Sequence, residues 1–437
     1  MIAFFFYTNK PFYFLSTFPA DSLIENKKTQ TKIYFLPEPS FKNCAMTPFN
    51  SKWENVISRL SPLEKRYDDI RTEFDRDYTR IIHSNAYRRL KHKTQVFFSP
   101  ENDHICTRIE HVTHVDSISY TIASYLGLNT ELTKAIAVAH DLGHSPFGHE
   151  GEKILSKISQ RDLKTSFWHE KNGVHLVDSI ELLEGHDGYK KNLNLCYGVR
   201  DGIISHCGEI DENSLKPRDK FIDLNDYIHP NQYSPYTWEG CVVKIADKIS
   251  YIGRDIEDAI SLGILDNHLD ELYDVLNYNS SESLNNSTII NYLVCDLCKN
   301  SSPDNGLCFS DDAFNLLNKI KDFNYKHIYF SNKIRNSVPY FELVINKIYD
   351  ILYDCFDEKS TLQNLYNLKH SYPKLITSFY NFIENYCSFA DRNKLKLNNT
   401  IVFDISKKDD FCKALLSYIS GMTDNFAIDI YNEIIRF

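Results

Sequence analysis

Between residues 242 and 256 the apolar side chains fall at Val242, Ile245, Ile249, Ile252 and Ile256, the three- and four-residue spacing of one helix face. That stripe commits the stretch to a helix with one buried side. The same spacing returns at Val115, Ile118 and Ile122, in a segment that runs out at Gly127, as helices often do. Periodicity, with Asn or Thr near several starts and Gly at several ends, predicts helices over residues 105–126, 131–142, 149–160, 170–184, 195–207 and 239–263. The chain is therefore expected to be all-α. Residues 208–238, with Pro217, Pro230 and Pro235, read as an irregular excursion or short lid before the last of these helices.

Polar side chains interrupt these stripes where they are costly to bury. Asp247, Tyr251 and Asp255 recur beside the 242–256 stripe at helical spacing, which predicts a ligand or a cation beside that face. His111 sits early on the 105–126 segment. His140, Asp141, His144, His149 and Glu152 are packed into one short turn after an apolar helix, with Gly143 and Pro146 supplying the bend that lets neighbouring side chains reach one point. Two histidines and two aspartates make a mixed nitrogen and oxygen set, suited to Mn, Fe, Co, Ni or Zn.

The order His111, His140-Asp141, Asp247 resembles the HD superfamily of metal-dependent phosphohydrolases. Within it, the Arg80 to Val96 block, Arg108 to His111, the His140 to Glu152 turn, Phe167 to Glu170 and Ala246 to Tyr251 resemble, in order, the deoxynucleoside triphosphate triphosphohydrolases often called dGTPase-like. The clear likeness covers about residues 70–260. It implies an HD-domain helical fold with extra C-terminal helices and cleavage between the α-phosphorus and the sugar O5′, releasing deoxynucleoside and tripolyphosphate. It further implies a divalent ion, manganese above the alternatives Mg, Fe, Co, Ni and Zn, on His111, His140, Asp141 and Asp247. His149 is then the acid that protonates the departing O5′, with Glu152 orienting its imidazole. His144 and His169 match positions that contact the phosphates, and Arg108 and Lys248 those that neutralise them. Gln95, Tyr251 and Asp255 match the deoxyribose end. Implied partners are a dNTP substrate, further copies of the chain in a homo-oligomer such as a hexamer, and a nucleotide or single-stranded DNA effector.

Two other function classes stand beside this one: another HD phosphohydrolase acting on nucleoside monophosphates, guanosine polyphosphates or cyclic nucleotides, and a noncatalytic nucleotide or single-strand binder. The net charge of -10 argues against a chain-wide nucleic-acid surface, so the cations for a polyanionic substrate must be local: Arg108, Lys248 and the Arg88 to Lys93 run. His186-Asp187, between Gly185 and Gly188, reads as a solvent loop, and His114 as a packed helix residue. Cys295, Cys298 and Cys308 have zinc-like spacing but sit in a helical pattern without an evident fourth ligand. Eleven cysteines without a regular framework, and no convincing export signal, fit reduced thiols in a cytoplasmic protein without membrane contact.

Three regions are expected. Residues 1–45 read as a poorly ordered or spurious extension, because Ile2 to Tyr7 and Pro11 to Ala20 are apolar but too short and too interrupted for a span or signal, and Met46 can serve as a start. Residues 46–265 form the catalytic core. Residues 266–437 are helical and serve packing, pocket completion or oligomer contacts.

Overall fold

The computed structural model describes residues 40–63, 69–98, 104–207, 213–276 and 286–436; the expectation for residues 1–39 lies outside them. The helices that carry or support the site are α1 (Glu73–His83), α2 (Arg108–Leu126), α3 (Thr130–Ala139), α4 (Gly148–Asp162), α5 (His169–His175), α6 (Tyr197–Ser205) and α7 (Trp238–Ser261). They are followed by α8 (Asn286–Asn300), α9 (Asp311–Asn324), α10 (Val338–Tyr353), α11 (Pro373–Tyr386), α12 (Lys408–Ser420) and α13 (Asp424–Ile435). Among the described residues the fold is all-α apart from one antiparallel pair, β1 (Leu182–Glu184) and β2 (Lys190–Asn192).

Local chemistry explains the helix starts. Thr72, Asn129 and Thr237 each accept a backbone N–H of the following turn through their side chains, capping α1, α3 and α7. At Thr107 the backbone N–H is instead taken by Glu110, three residues on. The 170–184 helix is shorter than expected: α5 ends at His175, a π-helical turn covers Leu176–Ile180, and residues 182–184 pair with 190–192. That pairing makes His186-Asp187 the tip of a hairpin, where Asp187 accepts the Tyr189 N–H.

Two apolar cores result. The first gathers the stripes of α1, α2, α3, α6, α7, α8 and α9. The second is built from α10 to α13, and Ile154, Leu155 and Ile158 of α4 belong to it, so α4 turns its apolar side to the C-terminal helices. Residues 41–46 are built into the first core: Phe41 and Met46 are buried, Phe41 packs edge-on against Trp238, and the Met46 N–H is held by the buried Glu239. No helix among the described residues is long and apolar enough to cross a membrane.

Candidate active site

α2, α3 and α7 deliver their polar residues to one point. His111 Nε2 lies 3.0 Å from Asp247 Oδ1 and 3.9 Å from Asp141 Oδ2; His140 Nε2 lies 3.5 Å from Asp141 Oδ1 and 3.9 Å from Asp247 Oδ1. His140 holds the carbonyl of Ala137 through Nδ1 at 2.7 Å, which leaves its buried Nε2 without a hydrogen-bond partner. A buried acceptor aimed at two carboxylates fits a cation, and the donor set is the mixed one expected. Burial alone would raise the Asp247 carboxyl, but the His111 and His140 rings hold it down at about 2. Burial would likewise raise Asp141, yet His144, His140 and Arg108 keep it well below the usual carboxylate range. Two ionised carboxylates in a dry pocket demand positive charge.

The turn after α3 brings the remaining residues round this cluster. It closes on α5 so tightly that a Cβ at Gly143 would lie 1.9 Å from the His169 carbonyl oxygen. Asn172 of α5 donates to the Gly143 carbonyl at 2.7 Å. Phe147 takes a left-handed φ of 64°, and Gly148 follows at 59°, reversing the chain into α4. His149 and Glu152 share one face of the first turn of α4, and His149 is 62% exposed at the cavity mouth.

Glu152 differs from expectation in its partner. Its Oε2 accepts from His169 Nδ1 at 2.8 Å, whereas His149 Nδ1 stands off at 3.8 Å. The reason is packing, since His169 enters from the N-terminus of α5 and reaches the carboxylate first. His144 stacks on His169 with ring centroids 3.7 Å apart. Its Nδ1 is 3.1 Å from Asp141 Oδ1, and its Nε2 is buried without a hydrogen-bond partner.

A cavity of about 910 Å³ opens onto the cluster. It is lined by Gln95, Arg108, His111, Asp141, His144, His149, Glu152, His169, Asp247, Lys248, Tyr251 and Asp255; His140 lies just behind the wall. The volume suits a nucleotide-sized ligand. Arg108 is buried and gives Nη1 to Asp141 Oδ2 at 2.6 Å, so part of its charge faces the carboxylate cluster. Gln95 Oε1 is buried without a hydrogen bond. At the far end Tyr329 donates to Asp255 at 2.6 Å, and burial lifts the Asp255 carboxyl to about 7.

Some expected contributors are elsewhere. The Arg88 to Lys93 run does not line the cavity: Lys93 is buried and donates to the carbonyls of His144 and Ser420, and Arg89 pairs with Glu181 at 2.6 Å. Lys153, Lys244 and Arg335 supply cationic lining instead. Nor do the Cys295, Cys298 and Cys308 thiols group as ligands among the described residues; Cys295 donates to Asn291 and Cys308 to the Asn300 carbonyl.

The cavity also holds residues the motif reading missed. His206 and Cys207 follow α6, while Tyr325, Tyr329 and Phe330 come from the segment after α9. A histidine ending an apolar helix, as His140 does, was the available signal for His206.

The HD domain family model matches residues 108–252. A deoxyguanosinetriphosphate triphosphohydrolase-like protein of Caldanaerobacter subterraneus subsp. tengcongensis is 32% identical over 391 residues, covering 89% of this chain and 92% of the relative. Proteins of the same description from Desulfatibacillum aliphaticivorans and Rickettsia bellii are 32% and 30% identical, covering 70% and 83% of this chain and 81% and 92% of the relatives.

Proposed function

Since the chain belongs to the deoxyguanosinetriphosphate triphosphohydrolase-like family of HD-domain proteins, we propose that it hydrolyses deoxynucleoside triphosphates, dGTP among them, to the deoxynucleoside and tripolyphosphate. The observation that carries this reading is that His149, His111, Asp141 and Asp247 line one cavity, with His140 behind its wall, and that Arg108, Lys244 and Lys248 line it too.

His111, His140, Asp141 and Asp247 would hold a divalent ion; the mixed imidazole and carboxylate set suits Mn, Fe, Co, Ni or Zn, and manganese is put first on the family resemblance. The chemistry such an ion supplies is polarisation of the α-phosphate and orientation of the attacking water. Everything else falls to side chains. Arg108, Lys248 and Lys244 neutralise the polyphosphate. The leaving O5′ departs as an alkoxide and needs a proton, which His149 donates. Glu152, set between His149 and His169, orients the His149 imidazole for this transfer. Gln95, Tyr251 and the hydrogen-bonded pair Asp255 and Tyr329 line the deoxyribose end, where a 2′-hydroxyl would crowd them.

The test is product identity. Full-length protein with manganese and each dNTP is expected to give deoxynucleoside and tripolyphosphate, with ribonucleotides turned over more slowly. Orthophosphate, or pyrophosphate with a monophosphate, would point to a different HD phosphohydrolase. Absence of turnover with retained nucleotide binding would point to a binder.

A further inference from the structure

His206 repeats the presentation of His140. Each follows the last residue of an apolar helix, and each ties Nδ1 to the carbonyl three residues back at 2.7 Å, Ala137 for one and Ile203 for the other. Both rings are therefore locked with Nε2 turned the same way. His206 Nε2 lies 3.9 Å from Asp141 Oδ1, and the ring lines the cavity. His169 is also locked, by Glu152 on Nδ1, and the other edge of its ring meets the Cys207 thiol. Ligand atoms of His169, His206 and Cys207 all fall within 4.8 Å of one another.

Ring geometry separates this trio from the stacked histidine pairs, and His140–His206 (4.9 Å, 76°), His144–His149 (5.3 Å, 74°) and His149–His169 (5.7 Å, 71°) share the inclined arrangement. Two imidazoles converging at a tetrahedral angle on an ion about 2.1 Å from each nitrogen have ring centroids on the order of 5 Å apart and are not stacked face to face. His111 and His140 meet that requirement at 5.5 Å and 67°; His169 and His206 meet it equally, at 5.4 Å and 60°. His144 on His169 (3.7 Å, 29°) and His268 on His327 (4.0 Å, 35°) are nearly stacked, so their lone pairs run side by side rather than toward a common point.

We propose that His169, His206 and Cys207 form a second metal site in the same cavity, for a thiophilic divalent ion such as zinc or cobalt(II). Three protein ligands leave the fourth tetrahedral position open to the cavity, where a phosphate oxygen or water binds. On binding, the metal–sulfur bond forms as the Cys207 S–H proton passes to solvent, and no electrons change hands. The histidines are held by a backbone carbonyl on one side and a carboxylate on the other, the usual outer partners of ligating imidazoles. The inference does not rest on the dNTP reading: metal binding is measured without substrate, and either can fail alone.

The test is titration of metal-free, reduced, full-length protein with cobalt(II) chloride. Two ions per wild-type chain are expected, with an intense near-ultraviolet thiolate-to-cobalt absorption arising from one of them. Cys207→Ser is expected to bind one ion with that absorption gone, and His206→Gln to lose one ion as well, each melting as wild type when metal-free. Conversely, Asp247→Asn is expected to keep the thiolate absorption. A single ion per wild-type chain, or a near-ultraviolet band that persists in Cys207→Ser, overturns the site.

Discussion

His140 commits one ring nitrogen to the Ala137 carbonyl and keeps the other bare among carboxylates, an arrangement with no folding benefit of its own. Its cost is offset only when a cation arrives, so Asp247→Asn, which removes a charge but little volume, is expected to abolish stoichiometric binding of the first ion and turnover together. Metal analysis of the purified variant checks this, and full metal content would contradict it. His149→Ala is expected to do the opposite, keeping the ion and lowering kcat roughly 10²- to 10⁴-fold. Asp255 gives a pH signature. Burial raises its carboxyl from 3.8 to about 7, so the neutral form is favoured on folding. That contribution is complete below the unfolded value and is lost as pH climbs through 7. Asp255→Asn cannot ionise and is expected to gain about 2 to 3 kcal/mol on wild type between about pH 5 and about pH 8. Denaturant titrations at the two pH values read it, and a difference independent of pH would refute the assignment.

At the scale of elements, the decisive piece is the turn from α3 into α4. Its positive-φ Phe147, itself part of the C-terminal core, is held by a buried carboxylate: Asp424, in the first turn of α13, accepts N–H bonds from Phe147 at 3.0 Å and from Thr94, beside Gln95, at 2.9 Å. One side chain thus anchors both the residue ahead of the α4 start and the segment that carries Gln95 to the cavity. Asp424→Ala leaves two N–H groups unpaired and is expected to cost roughly 2 to 4 kcal/mol, measured by denaturant unfolding. Loss of kcat beyond that of an equally destabilised variant elsewhere would show that the turn is positioned and not merely stabilised. Gly143→Ala is the complementary probe. Its methyl would drive the turn off α5, and we expect a folded but destabilised protein whose kcat falls more than its nucleotide affinity.

At the scale of the whole molecule, α4 forms the joint: its first turn faces the cavity, and its apolar side lies in the C-terminal core. That division explains what could be read in advance. The stripes through Ile118 and Ile249 announced their helices, and the His140 to Glu152 turn announced its own bend, because periodicity and turn chemistry are local. His206, Tyr329 and the Lys93 contacts were not legible, since each gains its meaning from a partner more than thirty residues away. A shorter separation, 17 residues, hid the pairing of Glu152 with His169, and partners far along the chain made a cationic run on the sequence into a structural tie at Lys93. The proposed reaction is attack at the α-phosphorus with the sugar oxygen leaving. Turnover of dGTP in heavy-oxygen water, followed by phosphorus NMR and mass spectrometry, tests that most directly. Intact tripolyphosphate carrying one labelled oxygen on a terminal phosphorus and an unlabelled deoxynucleoside are expected; label in the nucleoside, or in orthophosphate or pyrophosphate, would rule that reaction out.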